Sequence, residues 1–162
     1  MVIKLIVEHG YLSDALDSLT LDRAYQLIGD DPPSRIPFLV WLLENPDSLF
    51  ALPRNIYLKE HGFIHLLLKR GFSSDDEAYV IGFTMGNDSK TKRWHLLIFQ
   101  LFSIYFYPKK YKVSRENTKA FKQGFLMGKE FSTQNLNKID FQSYLDRKLS
   151  EIRVSSDIIT TS

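Results

Sequence analysis

The chain has 162 residues, 44% hydrophobic and 25% charged, which is enough for one cored domain and excludes wholesale disorder or a collagen-like chain. Cysteine is absent, so disulfide scaffolds, thiolate zinc sites, iron–sulfur clusters and cysteine nucleophiles are excluded. The net charge of +2 hides a basic middle: residues 89–122 hold nine Lys/Arg and one acid, whereas residues 1–88 hold seven Lys/Arg and thirteen Asp/Glu. A basic segment inside a near-neutral chain predicts a local anionic partner rather than a nucleic-acid coat, and no nucleic-acid reader motif is present.

In chain order, Val2 to Leu19 has apolar residues at helical spacing, and Leu21 to Ile28 continues the pattern. The start has one cation and a short apolar run broken by Glu8, so it lacks the pattern of a secretory leader. Three prolines and paired aspartates make Gly29 to Pro37 a loop. Phe38 to Glu44 predicts a short helix, ended by Asn45-Pro46-Asp47. Ile56 to Arg70 predicts a longer one, with Leu58, His61, His65 and Leu68 on a common face and Gly71 as its stop. Ser73-Ser74-Asp75-Asp76-Glu77 opens a helix reaching about Gly86. Lys92 to Tyr107 is a very apolar helix stopped by Pro108, too short to span a bilayer. Ser114 can cap a helix from Arg115 to about Phe131, and a closing helix covers Asp140 to Arg153. Strand signals are weak. The expected fold is all-α: a single-domain multi-helix bundle over residues 1–158 with an apolar cleft or tunnel, and a frayed tail at 159–162.

One constellation carries chemistry. His61 and His65, four residues apart, present two imidazoles on one helix face, a spacing that chelates a divalent metal. Glu77 is the candidate third ligand. At ~1.5 Å of rise per residue, it lies about as far into its helix as His65 lies before the end of the preceding one, so in an antiparallel hairpin their levels coincide. Two His and one carboxylate leave open positions for water or substrate. Each part also has a structural reading. Paired histidines are often packed residues with satisfied nitrogens, and Ser74-x-x-Glu77 is a capping box. The metalloprotease pattern fails because Gly62 follows the first His, and no P-loop, Gly-x-Ser-x-Gly or Gly-x-Gly-x-x-Gly is present. His9 and His95 read as ordinary surface or packed histidines.

The run Lys59-Glu60-His61-Gly62-Phe63-Ile64-His65, followed by eleven residues and Glu77, resembles the metal-binding signature of the Coq-four family of coenzyme Q (ubiquinone) biosynthesis. A second block resembles that family's C-terminal half: Ala120-Phe-Lys-Gln-Gly124-Phe-Leu-Met-Gly128-Lys129, then Ile139-Asp140-Phe141 and Leu149-Ser-Glu151-Ile-Arg153. The resemblance covers roughly residues 20–158. It implies an all-helical, lipid- or membrane-associated protein that acts on a prenylated ring, removing the C1 carboxyl with hydroxylation there, and that organises other quinone-biosynthesis enzymes. It also implies a divalent metal, zinc or iron, on His61, His65 and Glu77. The chain departs from the family pattern at Gly62, where the family has Asp, a residue type that often orients a metal ligand. No catalytic residue is assigned. The alternative is a non-catalytic prenyl-lipid-binding or scaffold protein. A third reading is a regulatory helical domain that docks a partner through an exposed aromatic face.

A prenyl chain needs a long apolar slot, and Phe99, Phe102 and Phe106 offer more apolar surface than one helix stripe requires. Gly82-x-x-x-Gly86 and Gly124-x-x-x-Gly128 read either as close helix packing or as room for an isoprenoid tail, with Gly124 and Gly128 as the lipid-binding candidates. Lys109, Lys110 and Arg115 follow the apolar helix and suit an anionic headgroup, with a solvated face as the alternative. The expected setting is cytoplasmic and peripheral to a membrane. The expected partners are a prenylated lipid or quinone precursor, other quinone-biosynthesis enzymes and a second copy of the chain.

Overall fold

In the computed structural model, residues 7–8, 11–12, 14–28, 58–89, 91, 115–131, 133, 135–136 and 139–155 are described. The predicted helices at Phe38–Glu44 and Lys92–Tyr107 lie outside them, as do Phe99, Phe102, Phe106, Lys109 and Lys110. The described residues are mostly helical, with one short antiparallel strand pair and one isolated bridge, in agreement with the all-α expectation. Five α-helices are described: α1 (Leu21–Ile28), α2 (Leu58–Leu67), α3 (Ser74–Asn87), α4 (Arg115–Glu130) and α5 (Leu149–Ser155). None of them is long and apolar enough to cross a membrane. The chain divides into two compact units, Met1–Gly71 with Asn137–Ser162, and Phe72–Leu136.

In the first unit, the described residues of the stretch Val2–Leu19 depart from the helix expected of it. β1 (Val7–Glu8) pairs antiparallel with β2 (Tyr11–Leu12), and a 3-10 turn follows at Asp14–Ser18. A short apolar run suits a strand as well as a helix. The closing segment also departs from one continuous helix. Asp140 caps a 3-10 turn over Phe141–Tyr144 by accepting from Gln142 N–H at 3.0 Å, and only Leu149–Ser155 is α-helical. Between them the backbone is used for pairing: Thr20 bridges Lys148, Leu149 N–H donates to Leu19, and Leu21 N–H donates to Arg147. Arg147 and Leu145 carbonyls thereby accept from the first amides of α1, those of Leu21 and Asp22, which a helix start otherwise leaves without partners.

The second half of α2 is enclosed on every side. Phe63 to Leu68 are all buried, so its burial is not confined to the face shared by His61 and His65. Phe63 stacks edge-on with Tyr25 at 4.9 Å and packs against Phe141 at 5.3 Å, joining α1, α2 and the closing segment in one core.

In the second unit, α3 and α4 meet along two glycine ladders. A Cβ at Gly82 or Gly86 would lie 2.1 Å from the carbonyl oxygen of Phe121 or Phe125, and one at Gly124 or Gly128 would lie 2.0 or 2.1 Å from that of Tyr79 or Phe83. Partner numbers rise together along both helices, so the two run parallel. The ends agree with this. Asn117 donates to Asp75 at 2.6 Å near both starts, and Asn87 near the far ends donates to Thr133 O at 2.7 Å.

Candidate metal centre

α2 ends at Leu67, three residues earlier than its sequence signals. Lys69 adopts a left-handed backbone (φ 54°), Arg70 N–H donates to His65 O at 3.0 Å, and Lys69 N–H donates to Leu66 O at 3.3 Å. These two bonds form a Schellman motif with a lysine, not Gly71, at the left-handed position. The chain then turns so that the Gly71 carbonyl comes back to the His65 ring, 2.8 Å from Nδ1.

That contact decides what His65 can do. A carbonyl only accepts, so Nδ1 carries the hydrogen and, in the neutral ring, Nε2 carries a lone pair. Nε2 of His65 faces Nε2 of His61 at 3.0 Å, so the His61 ring donates to it. A ring held by one nitrogen on a backbone carbonyl, with the other nitrogen bearing its lone pair toward a second ligand, is the usual arrangement of a metal-ligating histidine. The separation also fits. Two nitrogens at ~2.1 Å from one ion stand ~3.0 Å apart at a right angle and ~3.4 Å apart in a tetrahedron. His65 is buried and His61 half-buried.

Glu77 is not the capping acid. The capping box at the start of α3 is Ser73 with Asp76: Asp76 N–H donates to Ser73 Oγ at 3.2 Å, and Ser73 N–H and Oγ–H donate to Asp76 Oδ2 at 3.4 and 2.6 Å. The expected Ser74–Glu77 box is corrected by one residue. Both pairs satisfy the pattern, and Asp76 is the one that packs inward, 4% exposed. His61 and His65 offer two imidazole nitrogens, and Glu77, in the first turn of α3, offers a half-buried carboxylate. The imidazole–imidazole–carboxylate set suits a borderline divalent ion such as zinc or iron(II).

Gly62, between the histidines, lies under Tyr25. A Cβ there would stand 2.6 Å from Tyr25 Cε2, so the space of an aspartate side chain is taken by the tyrosine ring. Gly124 and Gly128 are filled in the same sense. Their open sides meet the backbone of α3, which is the packing alternative and leaves no room there for an isoprenoid tail. Arg115 opens α4.

Sequence reasoning missed Tyr25 and the Gly71 carbonyl. A glycine inside a helical pattern does signal close approach of another group, but not which group. Nothing in the sequence marks a backbone carbonyl as an imidazole's partner. Comparison with known proteins gives no match to a family model, a curated protein or a solved structure.

Proposed function

We propose that this chain is a metal-binding helical protein of isoprenoid quinone biosynthesis, holding one divalent cation, zinc or iron, on His61, His65 and Glu77. The observation that carries the metal reading is the fixed His65 ring: Nδ1–H on Gly71 O at 2.8 Å leaves Nε2 as a ligand beside His61 Nε2. The assignment of the helix cap to Asp76, which frees Glu77 from the capping box, supports it. The quinone assignment rests on the resemblance of the 59–77 and 120–153 blocks.

A cation held there supplies Lewis-acid polarisation of a carboxyl or phenolic oxygen on the ring. The chain's own groups do the rest. His65, buried on a carbonyl, keeps one tautomer; half-buried His61 and Glu77 stand toward the approach. In this reading Phe99, Phe102 and Phe106 line an apolar cleft for the prenyl chain, and Lys109, Lys110 and Arg115 meet an anionic headgroup at a membrane surface. Peripheral membrane attachment, a homodimer and association with other quinone-biosynthesis enzymes belong to the same proposal.

A second reading, a non-catalytic lipid-binding or scaffold protein, is favoured by one observation. Tyr25 occupies the space of the carboxylate that the family carries after its first histidine.

Elemental mass spectrometry on untagged protein tests the metal, beside a His61→Ala/His65→Ala double variant and Glu77→Ala. Near-stoichiometric metal in the wild type, lost in the double variant and reduced in Glu77→Ala, is expected. No metal in any of them after reloading refutes the centre. If metal is bound, turnover of a prenylated ring bearing a C1 carboxyl separates the enzyme from the scaffold.

A further inference from the structure

The C-terminal end of α2 is held by a side chain from the far end of the sequence. Arg153 on α5 is 4% exposed. Its Nε donates to Leu67 O at 3.1 Å, its Nη2 donates to Leu66 O at 2.6 Å, and its Nη1 is bonded to Asp17 Oδ1. The other oxygen of Asp17 accepts from Lys69 Nζ at 2.9 Å, and Asp14 takes the same ammonium at 2.6 Å. Lys69 is the left-handed residue of the turn, and its carbonyl accepts from Leu12 N–H at 3.0 Å. Two residues further on is the Gly71 carbonyl that holds His65 Nδ1. The path from Arg153 to the ring is therefore continuous: guanidinium, Asp17, Lys69, turn, Gly71, His65.

We infer that Arg153 is a positioning residue of the metal centre, fixing the turn whose Gly71 carbonyl sets the His65 tautomer and ring direction. The inference rests on the metal reading above for its function, and on the contacts just given for its geometry. Helix termini need carbonyl partners, but one cation near the last turn serves that need. Here the planar fork reaches two consecutive carbonyls and a carboxylate together, which a lysine cannot reproduce. The carbonyls of Ile64 and His65 are taken by Leu68 N–H and Arg70 N–H. The whole last turn below the ligand is thus fixed. Groups that orient a ligating histidine typically change metal affinity by ~10–100-fold when removed.

The test uses the full chain, with Arg153→Lys and the milder Asp17→Asn, at a temperature where circular dichroism shows each fully folded. Two readouts are taken. Nitrogen-15 NMR of the imidazoles without added metal reports the His65 tautomer, and optical titration with Co²⁺ reports affinity. The wild type is expected to show His65 only as the Nδ1–H form. Arg153→Lys is expected to show mixed tautomers and ~10–100-fold weaker Co²⁺ binding. A role in stability alone would lower the melting temperature and leave tautomer and affinity unchanged in the folded protein, and that result overturns the inference. If Arg153→Lys does not fold, Asp17→Asn decides by the same criteria. A wild type that takes up no Co²⁺ overturns the metal reading instead, and the tautomer comparison then decides by itself whether Arg153 orients the ring.

Discussion

Gly62 and Lys69 each hold a backbone that their residue type does not favour, for different reasons. Glycine inside a helix costs ~1 kcal/mol relative to alanine. At position 62 that cost is offset by the approach of Tyr25, whose ring is itself fixed edge-on against Phe63. Gly62→Ala is therefore expected to destabilise by ~1–3 kcal/mol, the range for overpacking a filled site. In a Tyr25→Ala background the same change should instead be neutral or stabilising by up to ~1 kcal/mol. Urea denaturation of the four proteins measures this, and additive effects would mean that Tyr25 does not press on Gly62. Lys69 holds a positive φ because its ammonium is anchored on Asp14 and Asp17 while its carbonyl is engaged by Leu12. The hydrogen bond and charge of Lys69 lower the pKa of Asp14 below its ordinary 3.8. For Lys69, burial pushes the pKa down, but the bonds to Asp14 and Asp17 outweigh it and leave it above 10.5.

At the scale of elements, the caps and seams decide where helices start and how closely they meet. Ser73→Ala removes the hydroxyl that accepts from Asp76 N–H and should cost ~1 kcal/mol. Ser74→Ala should change stability by less than ~0.5 kcal/mol, because this exposed serine does not belong to the capping box. In the α3–α4 seam, Gly82→Ala or Gly124→Ala places a methyl about 2 Å from a backbone carbonyl oxygen. No rotamer relieves that contact, so the helices must part. The expected loss is ~3 kcal/mol or more, at the upper end of overpacking, and a wild-type midpoint in thermal denaturation would refute the parallel register.

At the scale of the whole molecule, the Asp14–Lys69–Asp17–Arg153 cluster predicts a stability profile with two edges. Asp14 has a depressed folded pKa, so its contribution is complete above the unfolded value near 3.8 and is lost as pH falls through and below it. Lys69 has a raised folded pKa, so its contribution is complete below 10.5 and is lost as pH rises through the folded value. Unfolding midpoints in urea should therefore be lower below about pH 4 and above about pH 10.5, and Lys69→Met should reduce both edges. A profile unchanged by Lys69→Met would show that the cluster adds nothing. This cluster joins residues 14, 17, 69 and 153, which no local pattern relates.

The sequence by itself determined the helical class, the helices over Leu21–Ile28, residues 58–67, 74–87 and 115–130, and the pairing of His61 with His65. Each of these is written in local terms: apolar spacing, and the four-residue interval that puts two side chains on one face. It misplaced the α3 cap by one residue, because Ser73–Asp76 and Ser74–Glu77 fit the pattern equally and only burial separates them. It misread the described residues 7–18 as helix, and it ran one helix through 140–153 where only 149–155 is α-helical, because the pairing of Thr20 with Lys148 is a long-range contact that interrupts it. Tertiary structure alone decided which nitrogen of His65 is committed, which acid caps α3 and what fills the space over Gly62. Those outcomes depend on a carbonyl, a serine and an aromatic ring brought within bonding or van der Waals distance by the turn and by packing, and distance in space is not encoded in spacing along the chain.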